Sequence, residues 1–139
     1  MCPNPEQQGL SEEQGLLADT RLVEAISLFN CGDWYACHDG FEALWHETSG
    51  PMRPVLQGIL QIAVAELHLE RGNSRGATIL MGEGLGRLKA CPTNALGIDL
   101  NALMNSAMLR LLALQQQQAL ESLALPSLVR TPPHNRSVD

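Results

Sequence analysis

The sequence is poor in aromatic and in basic residues. Aromatic residues make up 4% of its 139 residues, so leucine, alanine, isoleucine and methionine must fill the core. Such a filling favours helices over sheets. Nine lysine and arginine residues stand against fifteen aspartate and glutamate residues, which gives a net charge of -6. Because no basic run is available to meet a phosphate backbone, we expect no nucleic-acid partner.

Long hydrophobic runs and paired-cysteine motifs are also missing. No stretch approaches the roughly 18 apolar residues of a membrane span, and the first residues lack the basic and apolar parts of a signal peptide. The four cysteines, Cys2, Cys31, Cys37 and Cys91, form no CxxC pair, which is typical of free thiols in a reducing compartment. We therefore expect a cytoplasmic protein without a membrane partner.

Apolar residues recur at helical spacing along most of the chain. The pattern predicts an all-α protein of one domain, a compact and mostly antiparallel bundle of about five helices built on two helical hairpins. The predicted helices cover residues 11–30, 34–47, 54–71 and 74–90, with a fifth that begins after Asp99. We expect residues 11–125 to form the domain, residues 1–10 a flexible N-terminus and residues 126–139 a flexible, Pro-rich tail.

Glycines mark two predicted features of the helices. Residues 28–33 and 68–73 carry the same helix stop about 40 residues apart, as two stacked hairpins would. The fourth helix also contains four glycines, each of which weakens it by roughly 1 kcal/mol relative to alanine. Its backbone is therefore expected to approach a neighbour closely. These four are Gly76, Gly82, Gly84 and Gly86.

The second predicted helix carries an imidazole beside carboxylates. His38 and Glu42 are four residues apart, Trp45 continues the line one turn on, and Asp39 lies three residues from Glu42. An imidazole and a carboxylate at this spacing can hold a divalent metal, or the carboxylate can orient the ring for acid–base work. The aromatic Trp45 is interpreted as a core residue.

The third predicted helix is apolar almost all round but carries Gln57, Gln61 and His68 in a narrow angular band. If the second and third helices pack antiparallel, His38, Glu42, Gln61 and His68 would share one polar pocket. The candidate metal ligands there are His38, Glu42 and His68. The alternative is a network that only fixes the register of the helices, because a buried polar group needs a partner in either case.

Three ordered motifs in the sequence resemble the domain of unknown function 309 family. They are His38-Asp39-x-Phe41-Glu42-x-Leu44-Trp45, Gln57-Gly58-Ile59-Leu60-Gln61 and Gly72-Asn73-x-x-Gly76-Ala77. The resemblance spans about residues 25–100 and implies a compact helical bundle without implying an activity. The polar positions it shares are His38, Asp39, Glu42, Trp45, Gln61, His68 and Asn73. The family often has Glu after the His, where this chain has the shorter Asp39.

Two functional hypotheses remain open. The first is a His/Glu/Gln pocket that binds a small molecule or a divalent metal, and an enzyme built on it would be a metal-assisted hydrolase. The second is a helical interaction module without catalytic activity, which binds a protein partner or a second copy of itself as a homodimer. No P-loop, no dinucleotide-binding glycine motif after a strand and no G-x-S-x-G is present, so nucleotide and serine-hydrolase chemistry are not expected.

Overall fold

A computed structural model describes residues 5–131, with side chains from residue 10 onward, and confirms the predicted helical bundle. Helix α4 is central and packs against α3 on one side and α5 on the other, while α2 packs on α3 and α6 on α5. Within this part of the chain, no helix is both long and apolar enough to span a membrane. The elements in order are α1 (Pro5–Leu17), α2 (Thr20–Asn30), α3 (Trp34–Glu47), α4 (Met52–Glu70), α5 (Ser74–Lys89), β1 (Asn94–Ala95), β2 (Ile98–Asp99) and α6 (Leu100–Gln115).

The single helix predicted over residues 11–30 is wrong, because two helices occupy this region. Asp19 has an extended backbone, and its side chain accepts a hydrogen bond from the backbone N–H of Arg21. A side chain that takes a helix N–H in this way starts a new helix. Helix α1 therefore ends at Leu17, and helix α2 begins at Thr20. Helix α1 itself starts at Pro5, within the segment 1–10 that was expected to be flexible.

Arg21 joins the start of α2 to the end of α3. Its guanidinium lies 2.8 Å from Asp19 Oδ2 and 2.8 Å from Glu47 Oε2. Hydrogen bonds from Arg21 lower the pKa values of both carboxyl groups below their usual range. Arg21 and Glu47 are exposed and Asp19 is partly exposed, so this is a surface network.

Helix α1 is tied to the rest of the domain by two carboxylates. Glu12 accepts hydrogen bonds from the backbone N–H groups of Gly50 and Met52, each at 2.7 Å. Helix α4 has no side-chain cap of its own at Pro51, so Glu12 satisfies N–H groups that would otherwise lack partners. Glu13 accepts from the backbone N–H of Leu96 at 2.7 Å.

The two predicted helix stops have the same geometry. Gly32 and Gly72 have φ angles of 75° and 78°, a left-handed conformation that favours glycine. The next residues, Asp33 and Asn73, donate their backbone N–H groups back to the carbonyls five residues earlier, which completes a Schellman motif. Their side chains then cap α3 and α5. Repetition of this turn explains the similarity between residues 28–33 and 68–73.

Helices α4 and α5 approach each other closely at one point. A Cβ atom on Gly84 would lie 3.0 Å from the carbonyl oxygen of Gly58, and one on Gly58 would lie 2.7 Å from Leu88 Cδ2. The predicted close approach is therefore correct at Gly84. It is wrong at Gly82 and Gly86, where a Cβ atom would meet no neighbouring atom within 4 Å.

A small hairpin and an irregular C-terminal segment complete the fold. Strands β1 and β2 pair antiparallel around Leu96 and Gly97, whose φ angles are both positive. Leu128, in the stretch predicted as tail, is buried and exchanges two hydrogen bonds with the side chain of Asn30. Residues 126–131 thus pack on the domain. The rest of the predicted tail, residues 132–139, lies outside the described residues.

Candidate functional site

The imidazole of His38 lies between two carboxylates on α3. His38 Nε2 is 2.9 Å from Glu42 Oε2, and His38 Nδ1 is 3.4 Å from Asp39 Oδ1. The other oxygen of Glu42 lies 3.7 Å from His46 Nε2. Helical spacing alone brings these groups together, because residues four apart face each other on one side of a helix. The side chains of His38 and Glu42 are 31% and 43% exposed, so this is a surface cluster.

Trp45 packs against the core and supports the connection between α3 and α4. The guanidinium of Arg53 lies 4.0 Å from the centre of its ring. Arg53 also donates hydrogen bonds to the backbone oxygens of Trp45 and Thr48. The indole N–H of Trp45 is buried and has no partner among the described residues. These contacts give Trp45 a role in holding the turn.

The other predicted polar residues bond elsewhere. Gln61 Oε1 accepts a hydrogen bond from Arg87 Nε on α5 at 3.0 Å. His68 Nδ1 lies 2.9 Å from Asn73 Nδ2, and Asn73 Oδ1 accepts from the backbone N–H of Gly76. His68 and Asn73 therefore belong to the network that caps α5.

The seven predicted site residues thus fall into separate local groups. Over residues 10–131, no hydrogen bond links His38 or Glu42 to Gln61 or His68. Nor does that range contain three or more His, Cys, Asp or Glu side chains arranged to hold a metal ion. The predicted metal set of His38, Glu42 and His68 is not supported. The physical reason is that the ring of His68, in the last turn of α4, contacts Asn73, which is the capping residue of α5.

Cys37, next to His38 in sequence, is not an activated thiol. Its side chain points into the core, and burial raises the pKa of the thiol to about 12, with the charge of Asp33 adding to the effect. A thiol with this pKa stays protonated near neutral pH and is a poor nucleophile.

A buried ion pair between α4 and α6 was not predicted from the sequence. Arg110 Nε lies 2.6 Å from Glu66 Oε2, and Arg110 Nη2 lies 2.7 Å from Glu66 Oε1. The two side chains are 5% and 2% exposed. Arg110 Nη1 also donates to the backbone oxygen of Ala124 at 3.4 Å. The only signal for this pair was a charged residue among apolar neighbours in each of two helices, and the separation of 44 residues conceals the pairing.

This ion pair lines a groove that has a volume of about 680 Å³. Helix ends form one wall, and the irregular segment after α6 forms the other. The lining is Cys31, Gly32, Trp34, Glu66, Leu69, Glu70, Ser74, Arg110, Leu120, Glu121, Leu123 and Leu125. A second groove of about 380 Å³ is lined by Ser74, Leu114, Gln117, Gln118 and Leu120. The two share Ser74 and Leu120 in their linings and therefore adjoin each other; we call the pair together the long groove.

Comparison with known proteins supports the predicted family. Residues 22–80 match the model of the family described as Domain of unknown function (DUF309). This match contains all seven of the predicted polar positions and confirms the resemblance seen in the residues. It ends earlier than the range of about 25–100 inferred from the sequence. No curated protein matches the chain.

Proposed function

We propose that this helical protein, with its DUF309 segment, is a non-catalytic binding module that holds a segment of a partner protein in the long groove. The observation that carries the proposal is the open, two-part depression with apolar walls and a buried ion pair. The proposal takes up the interaction-module hypothesis raised by the sequence and assigns the binding role to the long groove.

The shape of the long groove favours an extended occupant. Its two parts have volumes of about 680 and 380 Å³, and both are open to solvent. Small-molecule sites are usually clefts that enclose most of the ligand. Two adjoining open depressions instead leave one side of an occupant exposed, as peptide-recognition grooves do.

The wall formed by the C-terminal segment is held in place before anything binds. Arg110 contacts the backbone of Ala124, and Asn30 bonds to the backbone of Leu128 in both directions. These contacts lie on either side of Leu125. A surface that is already ordered loses less conformational entropy on binding, which raises affinity without adding contacts.

The polar groups favour binding over catalysis. A general base needs a position where it can reach a substrate proton, and a nucleophile needs a nearby base. His38 is engaged by carboxylates at the surface, and Cys37 is protonated and buried. Neither residue lines the long groove.

A randomised peptide library tests the proposal. We expect peptides selected on the wild-type protein to lose binding to Leu125→Glu and to keep it with Val23→Glu. Leu125 and Val23 are 54% and 51% exposed, so each variant places one charge at an exposed apolar site and neither disturbs the core. Leu125 lines the long groove, whereas Val23 lies on α2 away from it. Absence of any selected peptide, or equal binding to both variants, would contradict the proposal.

A further inference from the structure

On the basis of the proposed function, we infer that the long groove recognises a segment with both apolar and basic residues. Apolar side chains of the segment pack on the leucine-rich wall, and a lysine or arginine lies near Glu70 and Glu121. The inference rests on the charges that line the groove and on which of them already have an ion-pair partner.

Three carboxylates and one guanidinium line the larger part of the groove. Arg110 engages both oxygens of Glu66, so this pair contributes little net charge. Glu70 and Glu121 are exposed, and no ion pair reaches either of them from residues 10–131. Two uncompensated negative charges therefore remain at the edge of the groove.

Helix dipoles do not reverse this balance. The negative C-terminal ends of α2 and α4 reach the groove at Gly32 and Glu70, but the positive N-terminal ends of α3 and α5 begin there too, at Trp34 and Ser74. The dipoles of each hairpin largely cancel at its turn. Among the residues that line the groove, the charges without an ion pair are therefore both negative, and negative charges attract cationic side chains.

The wall supplies the apolar part of the recognition. Leu120, Leu123 and Leu125 come from one short stretch of the C-terminal segment, and Leu69 faces them from α4. Leu125 is 54% exposed, so apolar surface is available for a partner to cover. Burial of such surface supplies most of the affinity, while the charges determine which segment is preferred.

The composition of the selected peptides separates the inference from the proposed function. If no peptide is selected, the proposed function fails. If neutral or acidic apolar peptides are selected as often as basic ones, the function stands and the inference fails. We expect lysine or arginine beside leucine or another large apolar residue, because both features of the groove act together.

Binding measurements on one selected peptide then locate the charge contacts. Replacement of its basic residues by glutamine is expected to weaken binding by about two- to fivefold for each exposed contact. This effect should shrink at high salt, which screens exposed charges. In the double variant Glu70→Gln/Glu121→Gln the two peptides should bind equally well.

A matched control removes two exposed carboxylates that do not line the groove. The double variant Glu24→Gln/Glu83→Gln changes the net charge by the same amount. It should keep the preference of the wild-type protein for the basic peptide. An equal loss of preference in the control would show that total charge is being sensed, and it would overturn the inference.

Discussion

Removal of one partner of the Glu66–Arg110 pair should be far more damaging than removal of both. Both side chains are almost fully buried and joined by two short hydrogen bonds. In Arg110→Met the carboxylate of Glu66 stays buried without its cation, which costs about 3–5 kcal/mol. Since domains of this kind are stable by about 5–15 kcal/mol, the loss would remove a large part of the total. Glu66→Met should cost a similar amount, because it leaves a buried guanidinium without its anion.

The double variant Glu66→Met/Arg110→Met should recover most of that loss. Apolar side chains of similar size fill the site without charge, and such replacements are often neutral or stabilising by about 1–4 kcal/mol. Urea unfolding followed by tryptophan fluorescence gives the four free energies of a double-mutant cycle. If the double variant is as unstable as either single one, the reasoning is refuted.

Three further predictions concern other parts of the fold. Gly84→Ala should destabilise the protein by roughly 1 kcal/mol or more, because its new methyl group meets α4. Gly82→Ala should instead stabilise the protein by up to about 1 kcal/mol, because its methyl group meets no neighbouring atom. Thermal unfolding of both variants measures the two effects. Arg21→Ala should be slightly less stable than the wild type at neutral pH. Its two carboxylate partners have lowered pKa values, so their contribution to stability exists above the ordinary carboxyl pKa and is lost as the pH falls through the lowered values. Acid titrations should therefore give equal stabilities once the pH is below both lowered pKa values. His38→Ala should leave the metal content of untagged protein unchanged by elemental mass spectrometry, and metal lost on this substitution would restore the metal-site hypothesis.

Local chemistry made most of the fold predictable. The helix stops at Gly32 and Gly72 follow from a glycine and a capping side chain that are adjacent in sequence, and the structure has them as predicted. The interruption of the helix at Asp19 also has a local cause, since Asp19 caps α2. The helical pattern of apolar residues continues on both sides of Asp19, so the sequence did not reveal this capping role. Leu96 gave no turn signal, since leucine rarely adopts a positive φ. Full burial of its side chain and the hydrogen bond that its backbone N–H donates to Glu13 hold it there.

The candidate site was less predictable, because it depends on which helix faces meet. The contact between His38 and Glu42 follows from spacing within one helix, and the structure contains it. The expected convergence with His68 needed a contact between helices, and the ring instead bonds to nearby Asn73. The pair of Glu66 and Arg110 is a contact of the same long-range kind, so spacing along the sequence could not reveal it.

The bond between Asn30 and Leu128 has a consequence for synthesis of the chain on the ribosome. Asn30 is synthesised early, but its two hydrogen bonds form only after Leu128 has been added and has left the exit tunnel. Until then, helices α2 to α5 can pack while the long groove lacks its second wall. Under the proposed function, a nascent chain without this bond should not yet hold a partner, although its first helices can already pack together.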